Sequence, residues 1–275
     1  MQQRAFLGLV TILVFFSPLL RAERLLLGGG AGSPASAYDA FFQWGRGAQG
    51  LYYVVTWGTI YGQAYLDSIK AEAVLRGVSP ERVYEAPSLE KMLEDADARK
   101  QFSSELLKVT GIYFSGGDQR LYMEVFLRFP TLKNLLKYQV EKKSLVYMGI
   151  SAGAMLAGRK MAYPLEKEQD GPKDVPFFLI EGVGLFPGIV ESHAFGRPGR
   201  VERACKSLTK ANQIGLPAVA IGENAFLAMN KNVVVVHGNG DSQVALISRR
   251  VQNQIESFTQ HWLKPRQGFK FAASR

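Results

Sequence analysis

The chain has 275 residues, of which 47% are hydrophobic, 21% are charged and only 12 are proline, and no block of sequence repeats. Disordered, collagen-like and solenoid classes are thereby excluded, and a domain with a sizeable core is within reach. Lys and Arg number 33 against 24 Asp and Glu, for a formal charge of +9. That excess raises the question of an anionic partner, but the basic residues are scattered and no aromatic-basic motif accompanies them, so nucleic acid is not expected. The single cysteine, Cys205, rules out an internal disulfide framework and a cysteine-rich metal cluster.

The first element is an apolar run from Ala5 to Leu20, preceded by Arg4 and closed by Arg21-Ala22. It is slightly short for a bilayer-spanning helix and Pro18 breaks it near its end, so it reads as a secretory signal peptide over residues 1–22. Cleavage after Ala22 would remove two arginines, lower the charge to +7 and release a secreted or periplasmic protein with no stable membrane anchor. No proline-rich linker or charge block divides the remainder, and residues 23–275 read as a single domain.

That remainder alternates short aliphatic runs with amphipathic stretches. Arg24–Leu27 is a strand entering Gly28-Gly29-Gly30. Tyr38–Trp44 is helical, Leu51–Thr56 a strand, and Gly62–Arg76 a helix ending at Gly77. Arg82–Tyr84 is a short strand, Ser88–Val109 mostly helix and Gly111–Phe114 a strand closed by Ser115–Gln119. Leu121–Val140 is a helix that Pro130 must kink or divide. Leu145–Gly149 is a strand into a sharp turn, with helix from Ala152 to Arg159. Such alternation predicts a parallel sheet covered on both faces, with reactive groups at the carboxyl ends of its strands. The last third (Ala218–Ile221, Ala225–Asn230, Val233–His237 and Gln243–Ile247) reads as short strands extending the same sheet in antiparallel or mixed fashion.

Gly28 and Gly30 fit the first two glycines of a dinucleotide fingerprint, but Ser33 stands where the third belongs and the strand Leu51–Thr56 ends without the acidic residue the fingerprint needs. Close backbone approach is the better reading. Gly149-Ile150-Ser151-Ala152-Gly153, between a strand and a helix, describes a nucleophile elbow in which flanking glycines relieve a strained turn around Ser151. A serine nucleophile needs a base. Of His193, His237 and His261, position favours His193, which follows the short strand Gly188–Ser192 and begins a loop. The third member should be a carboxylate, and Glu166, Glu168 and Asp170 all lie between serine and histidine; spacing does not choose among them. Backbone N–H groups of the turn Ser115–Asp118 could join that of Ala152 in an oxyanion hole. The histidines show no metal-ligand spacing, and neither a metal nor another cofactor is expected.

Phe114–Gln119, Gly149–Ala154 and Gly182–Gly188 leading to His193 together resemble the serine peptidase family of cyanophycinase and peptidase E, and the likeness runs from Leu25–Gly29 to Leu263–Phe269. The resemblance implies a three-layer α/β/α sandwich with a mainly parallel sheet, similar to class I glutamine amidotransferases. It implies Ser151 as nucleophile, His193 as base, Glu166 as the acid, and an oxyanion hole from Gly117 and Ala152. Asp118, Gln119, Ser192, Arg197, Arg200 and Arg203 are the implied substrate-binding residues. Within the family the arginines after the histidine are more similar to cyanophycinases, which release β-Asp-Arg from a poly-aspartate polymer carrying arginine. Relatives, however, carry glutamine where this chain has Ser192, and Pro198-Gly199 widens the arginine spacing. An aspartyl dipeptidase of peptidase E type and a catalytically inactive binding homologue are the alternatives. Family members are often homodimers.

Overall fold

A computed structural model describes residues 13–15, 24–30, 34–165, 176–212 and 215–272. Most of the expected leader, and with it the cleavage site at Ala22, lies outside these residues, as do Glu166, Glu168 and Asp170.

The described strands form two sheets. The first holds β1 (Leu13–Phe15), β2 (Arg24–Gly28), β3 (Tyr52–Val55), β4 (Val83–Glu85), β5 (Gly111–Phe114), β6 (Val146–Ile150), β11 (Ala225–Asn230), β12 (Val233–Gly238) and β15 (Gly268–Ala272). Its order is β1-β15-β12-β11-β2-β6-β5-β3-β4. The run β2-β6-β5-β3-β4 is wholly parallel, as the strand–helix alternation predicts, whereas β11 and β12 pair antiparallel. The second sheet holds β7 (Gly158–Pro164), β8 (Phe177–Glu181), β9 (Phe186–Glu191), β10 (Pro217–Ile221), β13 (Val244–Gln252) and β14 (Ile255–Leu263), in the order β14-β13-β10-β9-β7-β8.

Here the expectation of one extended sheet needs correction. The strands at Ala225–Asn230 and Val233–His237 do extend the parallel sheet, but those at Ala218–Ile221 and Gln243–Ile247 belong to the second. The reason lies in partners distant in sequence. β10 runs parallel to β9 on one side and antiparallel to β13 on the other, and all five of its residues are buried. A short, fully apolar strand of this kind carries no local mark of which sheet will accept it.

The helices are α1 (Ala35–Trp44), α2 (Gly62–Leu75), α3 (Leu89–Glu94), α4 (Ala96–Leu106), α5 (Gln119–Arg128), α6 (Pro130–Lys143), α7 (Ala152–Leu156) and α8 (Arg200–Ala211). Pro130 takes the first position of α6, where a missing N–H costs nothing, and so divides the predicted long helix rather than kinking it. Strand alternation then sorts the core. Tyr52, Tyr113 and Met148 face Phe41 of α1 and Ile69 of α2. Tyr53, Phe114 and Tyr147 face Phe102, Tyr122, Phe126 and Leu136 of α4–α6. The parallel sheet is thus the middle of an α/β/α sandwich. The core on the α4–α6 side continues into Phe186, Val219 and Leu246 of the second sheet, so the two sheets share apolar contacts. A third cluster packs Ala204 and Leu208 of α8 on Ala218 and Ile247.

Candidate active site

Parallel strands deliver their carboxyl ends to one edge of a sheet. In register, Gly28 of β2 stands beside Ile150 of β6, and Gly149 beside Phe114 of β5. The turns that follow therefore meet in one crevice: Gly29-Gly30, Ser115–Asp118 and Ser151.

Ser151 has φ 52° and ψ −113°, a strained conformation held by its N–H donating to the Gly28 carbonyl at 2.9 Å. A Cβ on Gly149 would lie 2.4 Å from the Gly153 carbonyl oxygen, and one on Gly153 would lie 2.4 Å from that of Phe114. Both glycines are therefore required by close backbone approach, and the expected elbow is the one the chain builds.

His193 arrives from the other sheet, in the loop that follows β9. It too has positive φ, 56°, and its N–H donates to the Gly29 carbonyl at 2.7 Å, which ties the loop after β9 of the second sheet to the turn after β2 of the first. Its Nε2 lies 2.7 Å from Ser151 Oγ. Its Nδ1 lies 2.5 Å from Oε1 of Glu223. A carboxylate can only accept, so Nδ1 carries the proton and Nε2 is left as the acceptor facing the serine hydroxyl. Burial pushes the imidazole pKa below its ordinary value; the Glu223 hydrogen bond opposes this, and the cations of Arg197 and Arg200 add to it.

Glu223 is the residue that sequence reasoning missed. Glu166, the expected acid, and its alternatives Glu168 and Asp170 lie outside the described residues, and Glu223 is the carboxylate at His193 Nδ1. It sits in the turn Gly222–Asn224, where the chain leaves β10 of one sheet and enters β11 of the other. A signal was present: a lone acid between two apolar runs, at the carboxyl end of a strand. The glycines of the first turn now find their purpose. A Cβ on Gly30 would lie 2.0 Å from Glu223 Oε2 and 2.5 Å from His193 Nδ1, and one on Gly196 would lie 2.7 Å from Glu223 Cγ.

Ser151 and His193 open into a cleft of about 1070 Å³. Gly117 of the expected oxyanion hole and Asp118, Gln119, Ser192, Arg197 and Arg200 of the expected binding set line it. Gly117 has φ 125°, and a Cβ there would lie 2.0 Å from the Gly58 carbonyl oxygen. Ala152 is the first residue of α7, where a backbone N–H has no partner within its helix. Asp118 caps α5 through the Arg120 N–H and forms an ion pair with the Arg120 guanidinium. The buried Gln119 Nε2 and Ser192 Oγ have no hydrogen-bond partner among the described residues.

Arg203 departs from expectation. Its Nε and Nη2 hold the two carboxylate oxygens of Glu191 at 2.8 and 2.6 Å, and Arg200 Nη1 reaches the same carboxylate at 3.1 Å. Glu191 is fully buried. The arginines lie three apart on α8, on one helical face, and that face covers the end of β9. The bidentate clamp expected for a substrate carboxylate is at Arg203 closed on an internal one. His237 lies on β12 and His261 on β14, away from the serine. Among the described residues no group of three or more His, Cys, Asp or Glu is placed to hold a metal ion, and no helix is long and apolar enough to cross a membrane.

The sequence model of Peptidase family S51 matches residues 77–236, a span that includes Ser151, His193 and Glu223. Among solved structures, a peptidase from an acI-B1 Actinobacterium superposes with a TM-score of 0.59 at 17% identity, covering 90% of this chain and 97% of that one. A putative peptidase E protein from Listeria monocytogenes EGD-e superposes with a TM-score of 0.58 at 15% identity, covering 79% of this chain and 98% of that one. Curated proteins yield no match.

Proposed function

We propose that this chain, which belongs to peptidase family S51 and is a serine-type peptidase, hydrolyses aspartyl peptides through Ser151, His193 and Glu223. The observation that carries the proposal is the continuous chain of contacts from Ser151 Oγ through the His193 ring to Glu223. His193 Nε2 takes the hydroxyl proton as Oγ bonds to the scissile carbonyl carbon. Glu223 holds the tautomer and stabilises the imidazolium. The N–H groups of Gly117 and Ala152 receive the developing oxyanion. Collapse breaks the C–N bond, His193 returns the proton to the leaving amine, and water then hydrolyses the acyl-enzyme.

Arg197 supplies positive charge near His193, joined by Arg200 even while its Nη1 holds Glu191, and that charge suits the free carboxylate of an aspartyl residue. Two versions of this reading differ in the rest of the substrate. Cyanophycin, cleaved to β-Asp-Arg, is the polymeric version. Free aspartyl dipeptides are the other, and the engagement of Arg203 by Glu191, together with serine at position 192, favours them. The apolar leader over residues 1–22 adds export to the proposal.

The test is incubation of the protein with cyanophycin and a panel of α- and β-aspartyl dipeptides beside Ser151→Ala. Hydrolysis by the wild type alone supports the reading. Failure of a serine-directed fluorophosphonate to label folded wild-type protein at Ser151 would overturn it in favour of a binding role.

A further inference from the structure

The cleft has two flanks of different chemistry, and the proposed function uses only one. Besides Arg197 and Arg200, the lining includes Trp57, Ile60 and Tyr61 from the segment after β3, Tyr65 from the first turns of α2, and Leu89 from α3. Ile60 and Tyr61 are 91% and 67% exposed, an unusual display for two large apolar side chains side by side.

This wall is built in advance of any ligand. Trp57 Nε1 donates to the Pro87 carbonyl at 2.8 Å, and the Thr59 and Tyr61 N–H groups donate to Thr56 O and Thr59 Oγ1, both at 3.1 Å. The Asp118 N–H donates to the Gly58 carbonyl at 2.8 Å, which ties the wall to the turn that carries Gly117. Tyr65 stands over that turn: its hydroxyl would lie 3.0 Å from a Cβ on Gly116, and Ser151 Cβ 3.3 Å from the same point. The wall therefore ends, beside the reacting serine, on the Tyr65 hydroxyl.

Charge is distributed as unevenly as polarity. Among the described lining residues Asp118 is the one carboxylate, and Arg120 holds both of its oxygens at 2.7–3.1 Å. A guanidinium or ammonium group on the substrate would face aromatic and aliphatic carbon at this wall, with no carboxylate among its described residues to pair with it.

We infer that the residue released after the aspartyl group is apolar or aromatic, its side chain lying against Ile60, Tyr61, Tyr65 and Leu89 while the aspartyl carboxylate faces Arg197 and Arg200. The inference rests on the aspartyl-peptide reading and sharpens it to Asp-Leu and Asp-Phe over Asp-Arg and Asp-Lys.

The experiment measures kcat/KM for Asp-Leu, Asp-Phe, Asp-Ala, Asp-Arg and Asp-Lys with wild type and with the double variant Ile60→Ser/Tyr61→Ser. Circular dichroism and fluorophosphonate labelling of Ser151 confirm that both proteins are folded. Wild type should favour Asp-Leu and Asp-Phe over the basic dipeptides by about tenfold or more, the scale of a few methylene groups in an apolar pocket. The double variant should bring Asp-Leu and Asp-Phe down towards Asp-Ala. Equal or faster cleavage of Asp-Arg and Asp-Lys overturns the inference and leaves the aspartyl reading in place. An unchanged preference in the double variant overturns the assignment of the wall. Hydrolysis of none of the five overturns the aspartyl reading itself, and this inference with it.

Discussion

Glu223 meets His193 at the carboxyl ends of two neighbouring parallel strands of the second sheet: Glu223 lies in the turn after β10 and His193 in the loop after β9, and Oε1 and Nδ1 meet at 2.5 Å. Ser151 completes the line from the elbow of β6. Each of the three is held by the end of a buried strand, so their mutual geometry is set by sheet register rather than by loop preference.

Loss of the carboxylate charge should be costly while the fold persists. Glu223→Gln keeps the side-chain volume but offers an amide to Nδ1–H and removes the charge that stabilises the imidazolium. In a serine triad such a change lowers kcat by on the order of 10,000-fold. Glu166→Gln, by contrast, should leave kcat within about twofold of wild type. Steady-state kinetics on an aspartyl dipeptide reads both, and a reversed order would reassign the acid.

Gly30 is required by crowding at the same pair. A methyl group there would lie 2.0 Å from Glu223 Oε2 and 2.5 Å from His193 Nδ1. Gly30→Ala should therefore push the two side chains apart and lower kcat/KM by on the order of 100-fold, the usual consequence of an ångström-scale misplacement. Fluorophosphonate labelling should slow in proportion.

The acid limb of the pH profile should fall below pH 6.5. Catalysis needs neutral His193, and burial holds its pKa below the ordinary 6.5, with Arg197 and Arg200 contributing in the same direction. A depressed pKa keeps the imidazole neutral to lower pH, so activity persists into mildly acidic solution and is lost only as the ring takes up a proton. Arg197→Ala removes one of the opposing cations and should move the limb upward. A pH profile of kcat/KM at low ionic strength checks the direction of both effects.

Glu191 should matter for stability. Its carboxylate is fully buried and bound by Arg200 and Arg203, both about 90% buried. Glu191→Ala removes the buried carboxylate that both guanidinium groups share, at a cost of about 3–5 kcal/mol. For a chain of this size that lowers Tm by on the order of 10 °C. Thermal denaturation followed by circular dichroism measures it, and Tm within about 2 °C of wild type would show that the arginines find other partners.

What was legible in the sequence was local. Gly149–Gly153 announces an elbow because only glycine tolerates backbone at 2.4 Å on either side of the serine. The parallel run β2-β6-β5-β3-β4 follows from apolar strands alternating with amphipathic helices, and His193 stood out as a histidine at a strand's end. The tertiary structure decided what depends on partners remote in sequence. Glu223 is 30 residues from His193, and nothing between them marks the pairing; it exists because β9 and β10 lie side by side in one sheet while β11 crosses to the other. Arg203 reads as a substrate ligand in a list of arginines, and α8 turns it inward because a fully buried Glu191 needs a counter-charge. A sequence states which groups are reactive. Which carboxylate meets which base is settled by the register of strands, and that is fixed by burial across the whole sheet.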